Sequence, residues 1–362
     1  MDSLIFLVIS GVLAFGAANI AVNFFAKIAA RFGVVDRPGV RKTHESATPL
    51  LGGLAIMSSV FLLLLLPDIS LELDRMTVPN DLTRILEDFS LVEIGRNVEF
   101  IGIAAGAVLM GVTGLIDDVL ESGVPAWAKL FIQIFCAAGV VLAGLTAPVF
   151  NNSMLDAVLT IIWIVGVTNA FNLLDNMDGL SSSIALVASG FLFYFSLALS
   201  QHWLAFFWIV FIGGVFGFFR QNFFKAKIFM GDSGSLFIGF IIATVSIFLT
   251  ALLLEDGVAG KMTLLTPILV LAVPIYDTFS VIIIRLREGR SVFVGDQSHI
   301  SHRLVALGFS RRNAVLVIGA AAIFSGALSV FVFHNKIWAA LTLGGVGALL
   351  GVLWLKFIKP GF

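Results

Sequence analysis

Long apolar stretches, separated by short polar segments, run along almost the whole chain. A helix needs about 20 apolar residues to cross the hydrocarbon core of a bilayer. The pattern therefore predicts an all-α polytopic membrane bundle. The bundle is expected to form one transmembrane domain over residues 1–362, with about 11 (10–11) transmembrane helices at 3–27, 50–67, 99–116, 127–147, 154–171, 180–199, 203–219, 234–254, 264–284, 313–333 and 338–356.

The composition agrees with a membrane protein. Hydrophobic residues make up 59% of the chain and charged residues 12%, whereas soluble domains carry about 25% charged residues. The net charge of −1 argues against nucleic acid as a partner. The first apolar run has no basic segment before it, so we expect a retained span and not a cleaved signal peptide. The Phe-rich stretch 203–219 is expected to face lipid.

Basic residues set the expected orientation. With the N-terminus outside, 17 of the 22 Lys and Arg residues fall on one side and five on the other. Cytoplasmic loops carry the excess of basic residues. The sequence thus predicts a multi-pass protein of the inner (plasma) membrane with its polar clusters facing the cytoplasm. The segment 68–98 is then an extracytoplasmic loop, and 285–312 is a cytoplasmic loop.

Two acidic clusters lie at predicted span ends. Asp117 and Asp118 close the third span, and their like charges favour a cation nearby. Asp232 precedes the eighth span, where Ser233 and Ser235 could cap the helix. Taken alone, a hydrophilic stop and an ordinary N-cap are the alternatives.

A third cluster closes the fifth span. Asn169, Asn172 and Asp175 recur at i, i+3 and i+6, which places them close to one helical face. Asp178 and Gly179 then suit a turn. Polar side chains at the end of an apolar run are costly in lipid, so this spacing favours a functional site over a simple loop.

Basic residues form the last cluster. His299, His302 and Arg303 lie in the large inner loop, where anion recognition is the favoured function and a solvated basic loop is the alternative. Lys129 opens the fourth span, either snorkelling or binding an anion. Asp277 lies inside its span, with Arg285 as the nearest basic residue along the sequence, and an acid at that depth is a functional candidate.

The predicted topology brings all four clusters to one interface. Acids without matching local bases suggest a divalent cation, and Mg²⁺ prefers one or two carboxylates together with substrate phosphates. Lys129, Arg303 and the Arg41-Lys42 pair could hold further phosphate charge. Metal and phosphates at a bilayer edge indicate phosphoryl transfer between a soluble nucleotide and a lipid.

The ordered motifs resemble those of the polyprenyl-phosphate N-acetylhexosamine-1-phosphate transferases, over about Arg37 to Leu304. That superfamily includes the translocase that makes the first lipid intermediate of peptidoglycan. The resemblance lies in Asp117-Asp118, Lys129 with Gln133, Asn169-x-x-Asn172-x-x-Asp175-x-x-Asp178-Gly179, Gly231-Asp232-Ser-Gly-Ser, Pro274 with Asp277, and His302-Arg303-Leu304.

This resemblance implies a reaction. A UDP-activated N-acetylhexosamine would give its sugar-1-phosphate to polyprenyl (undecaprenyl) phosphate, releasing UMP and initiating a cell-envelope glycan. It implies Mg²⁺, with Mn²⁺ as a substitute. The expected partners are the UDP-sugar, the polyprenyl phosphate, the bilayer and, in one arrangement, a second copy in a homodimer.

The resemblance also assigns roles. Asp232 matches the principal metal ligand. Asp117 and Asp118 match the acidic pair near the lipid phosphate, with Asp117 as the base or phosphate orienter and as a second candidate metal ligand. These three residues form the catalytic set of the single domain 1–362, and the loop 285–312 is expected to bind substrate. Substrate-binding positions are Lys129, Asn169, Asn172, Asp175, Asp178, His299, His302 and Arg303.

Two positions depart from the family pattern. Asn176 replaces the first glycine of Asp-Gly-x-Asp-Gly, and asparagine tolerates left-handed backbone well. Ser301 stands at the middle histidine of a common triplet. The departures favour the branch that uses simple UDP-N-acetylhexosamines over the peptidoglycan translocase.

Other classes remain as alternatives. A transporter would place charges between repeats near the midplane. An intramembrane aspartyl protease would pair Asp232 with Asp277. A catalytically inactive homologue is the third alternative, because of Asn176 and Ser301.

Overall fold

The computed structural model describes residues 2–36, 47–67, 98–120, 122–150, 152–255, 264–291 and 297–334, and the single positions 341 and 345. Two residue pairs, β1 Val35–Asp36 and β2 Thr48–Pro49, form a small antiparallel ladder. The helices are α1 Asp2–Phe32, α2 Gly52–Leu64, α3 Val98–Val119, α4 Ala126–Leu142, α5 Ser153–Leu174, α6 Leu180–Ala198, α7 His202–Asn222, α8 Gly231–Glu255, α9 Leu265–Val270, α10 Ala272–Arg287, α11 Ile300–Ala306 and α12 Arg311–His334.

The all-α membrane fold is confirmed. Within the described ranges, seven helices are long and apolar enough to cross a bilayer, and α2 and α4 are shorter apolar helices. Large apolar side chains cover the outer surface, with Leu142 87% exposed and Ile20 73% exposed, as expected for surface in contact with lipid. Most of the predicted loop 68–98 and of the predicted span 338–356 lies outside the described residues.

The prediction of one continuous helix over 264–284 is wrong. The segment forms α9 and α10, which are separated at Leu271. Pro274 explains the break, because proline has no N–H to donate to Val270 and its ring clashes with that carbonyl.

Helix α8 is the centre of the bundle and packs against α2, α3 and α5. Glycines allow these contacts: a Cβ on Gly53 would lie 2.1 Å from the Gly234 nitrogen, and one on Gly114 2.2 Å from the Asp232 carbonyl carbon. Since Asp232 begins α8 and Asp117 and Asp118 end α3, this close packing brings the acids together.

Helix α7 packs closely through Gly213, Gly214 and Gly217, since added Cβ atoms there would lie under 3.0 Å from α1 or α2. The expectation that 203–219 faces lipid is wrong. Phe206, Phe211 and other rings of this stretch are buried, because α7 packs between α1, α2 and α6.

Candidate active site

Three carboxylates meet at one end of the bundle. Asp117, Asp118 and Asp232 each offer an oxygen within 4.8 Å of the others, and all three are partly buried. They come from the last turn of α3 and the first turn of α8. The predicted convergence of the two acidic clusters is confirmed.

Lys129, in the first turn of α4, lies between two of these acids. Its Nζ atom is 2.8 Å from Asp117 Oδ1 and 2.6 Å from Asp232 Oδ2. The sequence suggested acids without a matching base, and the fold brings this one from a neighbouring helix. The three side chains remain 17–25% exposed, so a ligand can reach them.

Asp118 has a structural task that the sequence did not show. Its Oδ1 accepts from the Asp232 backbone N–H at 2.8 Å and its Oδ2 from that of Ser233 at 3.1 Å. The carboxylate therefore caps α8, where negative charge is favoured by the helix dipole. Gly231 has φ +69°, and a Cβ there would lie 2.4 Å from Asp118 Oδ2. Only glycine fits this approach without displacing the acid.

The predicted polar face of α5 is confirmed. Asn172 Nδ2 donates to Asp232 Oδ1 at 3.0 Å and to Ser235 Oγ at 2.9 Å. One turn earlier, Asn169 and Gln133 exchange amide hydrogen bonds of 2.5 and 3.3 Å. Helix α5 thus fixes Asp232 on the side opposite Lys129.

The turn after α5 carries two further acids. Burial raises the pKa of Asp175 from 3.8 to about 8, with Asp232, Asp118 and Asp178 raising it further. Asp178 Oδ2 accepts from the Ala226 N–H at 3.0 Å. A buried carboxyl with a strongly raised pKa beside other acids marks Asp175 as a candidate functional residue.

Asp277 and His299 form a pair that the sequence missed. His299 Nδ1 lies 2.7 Å from Asp277 Oδ2, and Ile300 N–H donates to Asp277 Oδ1 at 2.7 Å. Asp277 is 0% exposed and His299 4%. Sequence proximity had suggested Arg285, but the fold brings His299 to the acid.

Helix α11 continues this basic side. Arg303 Nη2 donates to Ser280 Oγ on α10 at 2.6 Å, and burial lowers the pKa of its guanidinium. His302 lies on the same short helix. The predicted loop 285–312 therefore contains an ordered helix. Arg41 and Lys42 lie outside the described residues.

Asn176 does not need left-handed backbone. Among the described residues, positive φ occurs outside glycine at Leu51, Ser200, Phe224 and Lys225. In this turn it is Gly179 that takes φ +74°. Asn176 instead accepts a hydrogen bond from Ser301, so the reason given for tolerating it is wrong.

The acids that a protease would pair have separate partners. Asp277 is bound to His299 and the Ile300 N–H, whereas Asp232 contacts Lys129 and Asn172. These separate hydrogen bonds argue against an aspartyl dyad. The fold and site define a polytopic membrane protein with an acidic, solvent-reachable cluster at its helix ends.

The comparisons identify the family. The model of glycosyl transferase family 4 matches residues 100–250. A Bacillus subtilis relative named "Probable undecaprenyl-phosphate N-acetylglucosaminyl 1-phosphate transferase" is 31% identical over 94% of this chain and 88% of its own. This chain belongs to glycosyl transferase family 4.

Two further relatives have related names. The decaprenyl-phosphate N-acetylglucosaminephosphotransferase of Mycobacterium tuberculosis is 33% identical over 91% of this chain and 85% of its own. The undecaprenyl-phosphate alpha-N-acetylglucosaminyl 1-phosphate transferase of Escherichia coli K12 is 26% identical over 88% and 83%. The family identified from the sequence motifs is confirmed.

Proposed function

We propose that this protein transfers N-acetylhexosamine-1-phosphate from a UDP-sugar to polyprenyl phosphate. The observation that carries the proposal is the convergence of Asp117, Asp118 and Asp232 beside Lys129 at the end of a membrane bundle. The names of the relatives support the same reaction class.

The residues fit a divalent cation. Three carboxylates within 4.8 Å offer hard oxygen ligands, which suit Mg²⁺, with Mn²⁺ as a substitute. Asp117 and Asp232 are the proposed ligands, because Lys129 already contacts both and they face the same position. A bound Mg²⁺ would neutralise phosphate charge as the diphosphate bond breaks.

The proposed phosphoryl transfer does not require a strong general base. An oxygen of the lipid phosphate attacks the phosphorus that carries the sugar, and the bond from that phosphorus to the UMP oxygen breaks. UMP leaves with the bond electrons, and the lipid keeps a new diphosphate. A phosphate monoester is largely dianionic at neutral pH, since its second pKa is about 6. Lys129 and the acids therefore act by positioning and by charge.

The basic helix α11 is proposed to hold the donor. Arg303 is anchored through Ser280 and His299 through Asp277, so both groups are held in place before the donor binds. Preorganised groups bind a diphosphate at a smaller entropy cost. We place this end of the bundle at the cytoplasmic face of the inner membrane, where UDP-sugars occur. A homodimer stays a prediction.

The test is product formation by the purified protein. With UDP-N-acetylglucosamine, polyprenyl phosphate and Mg²⁺, UMP and a lipid-linked diphospho-sugar should form, and EDTA should stop the reaction. Asp232→Ala should abolish turnover. Glu99→Gln is the matched control, because Glu99 lies in the first turn of α3, at the far end from Asp117. No UMP release from any UDP-amino sugar would overturn the proposal.

A further inference from the structure

The two positions that depart from the family pattern touch each other. Ser301 Oγ donates to Asn176 Oδ1 at 2.6 Å, although the residues are 125 positions apart. Asn176 Nδ2 donates in turn to the Leu173 carbonyl at 2.7 Å. Ser301 is 0% exposed, so water does not compete for its hydroxyl.

This chain of hydrogen bonds joins two parts of the site. Asn176 follows Asp175 in the turn between α5 and α6, and Ser301 lies in the first turn of α11, between His299 and His302. Leu173 belongs to the last turn of α5, the helix that positions Asp232. The bond therefore connects the turn at residues 175–178, called the acidic turn below, with helix α11.

Helix α11 also has anchors on α10 and packs against α12. Asp277 accepts from the Ile300 N–H and binds His299, and Ser280 accepts from Arg303. Helix α10 in turn packs against α5. The hydrogen bond from Ser301 to Asn176 adds a direct constraint between α11 and the turn that carries Asp175.

The two departures are complementary in size. The resemblance implies glycine at 176 and histidine at 301, whereas this chain has the larger asparagine at 176 and the smaller serine at 301. An imidazole at 301 would run into the Asn176 amide, because Ser301 is fully enclosed and its hydroxyl already lies at hydrogen-bond distance. With glycine at 176 that volume becomes free.

We infer that Asn176 and Ser301 are a coupled pair of positioning residues that sets the spacing between the acidic turn and helix α11 and thereby the affinity for the sugar nucleotide. The inference rests on the proposed function, since it assigns the donor to α11. According to this inference, the departures at Asn176 and Ser301 depend on each other and are not independent substitutions.

An alanine cycle tests the coupling. Asn176→Ala and Ser301→Ala should each raise the KM for the UDP-sugar by about threefold to tenfold, with the KM for polyprenyl phosphate unchanged. The double variant should be no worse than the more impaired single variant. A double variant as impaired as the product of the two singles would overturn the inference.

An exchange of the pair is the sharper test. Ser301→His alone should impair donor binding because the imidazole meets Asn176, whereas Asn176→Gly with Ser301→His should return the donor KM to within about threefold of the unmodified protein. A harmless Ser301→His, or no recovery in the double variant, would contradict the coupling. Ser183→Ala is the control, because that hydroxyl bonds only within α6 among the contacts described, to Leu180 O.

A measurement without turnover separates the two proposals. Amide hydrogen exchange in α11 should be faster in Ser301→Ala and Asn176→Ala than in Ser183→Ala, whether or not substrates are present. Failure of the proposed function would appear as an unmodified protein that releases no UMP. Failure of the inference would appear as an active protein in which the exchange of α11 is the same in all three variants.

Discussion

Lys129 holds two carboxylates that would otherwise repel each other, with contacts of 2.8 and 2.6 Å. Lys129→Met should reduce turnover by about 100-fold or more, because a charge that stabilises the transferring phosphate is lost. The same variant should bind Mn²⁺ at least as tightly, since a cation beside the acids is gone. Calorimetry or electron paramagnetic resonance measures this affinity. Weaker Mn²⁺ binding by Lys129→Met would contradict the prediction, because it would mean that Lys129 helps to hold the metal ligands in place.

Asp175 gives the protein a pH dependence with a defined sign. Its folded pKa of about 8 is above the unfolded value of 3.8, so the folded state binds the extra proton between these values. The stabilisation is complete below the unfolded pKa and is lost as the pH rises through about 8. Without metal, the thermal midpoint should decrease as the pH rises from about 5 to about 8, and Asp175→Asn should flatten this slope. Equal slopes in both proteins would contradict the assignment.

Local spacing was enough to find most of the chemistry at the residue scale. Asn172 and Asp232 were identified because polar groups at span ends are rare and costly. Two contacts were not identified, that of Asp277 with His299 and that of Asn176 with Ser301. Each pair meets only after distant segments of the chain pack together. A single sequence has no signal for such pairs beyond the residue types themselves.

At the scale of helices, the contact of α3 with α8 controls the acidic cluster. A Cβ on Gly114 would lie 2.3 Å from the Asp232 carbonyl oxygen, whereas one on Gly139 of α4 would meet nothing within 4 Å. Gly114→Ala should cost about 1–3 kcal/mol of stability and reduce activity, because the backbone of α8 must shift. Gly139→Ala, the matched control, should leave both unchanged. Thermal unfolding in detergent and UMP release check this, and a silent Gly114→Ala would contradict the packing.

Helix positions followed from hydropathy, but helix continuity and burial did not. Hydropathy does not distinguish a lipid-facing ring from a core ring, so the Phe-rich α7 was assigned to the wrong environment. The break at Leu271 could have been inferred from Pro274, but apolar length favoured a single span.

At the scale of the whole molecule, the orientation of the bundle in the membrane decides which substrates can reach the acidic cluster. Lys225 and Met154 are exposed at opposite ends of the bundle, Lys225 near the acidic end and Met154 at the start of α5. The single cysteine, Cys136, is buried, so we expect little labelling of the unmodified protein by a maleimide. In right-side-out vesicles, a membrane-impermeant maleimide should label Met154→Cys and not Lys225→Cys. The reverse pattern would put the site outside the cell and contradict a UDP-sugar donor.

Helix α4 has a consequence for the surrounding lipid. Its 17 residues span about 26 Å, less than the roughly 30 Å of a hydrocarbon core. Lipids beside a short helix thin locally to match it. Because Lys129 lies in the first turn of α4, we expect this thinning beside the acids. It would bring lipid headgroups closer to the acidic cluster.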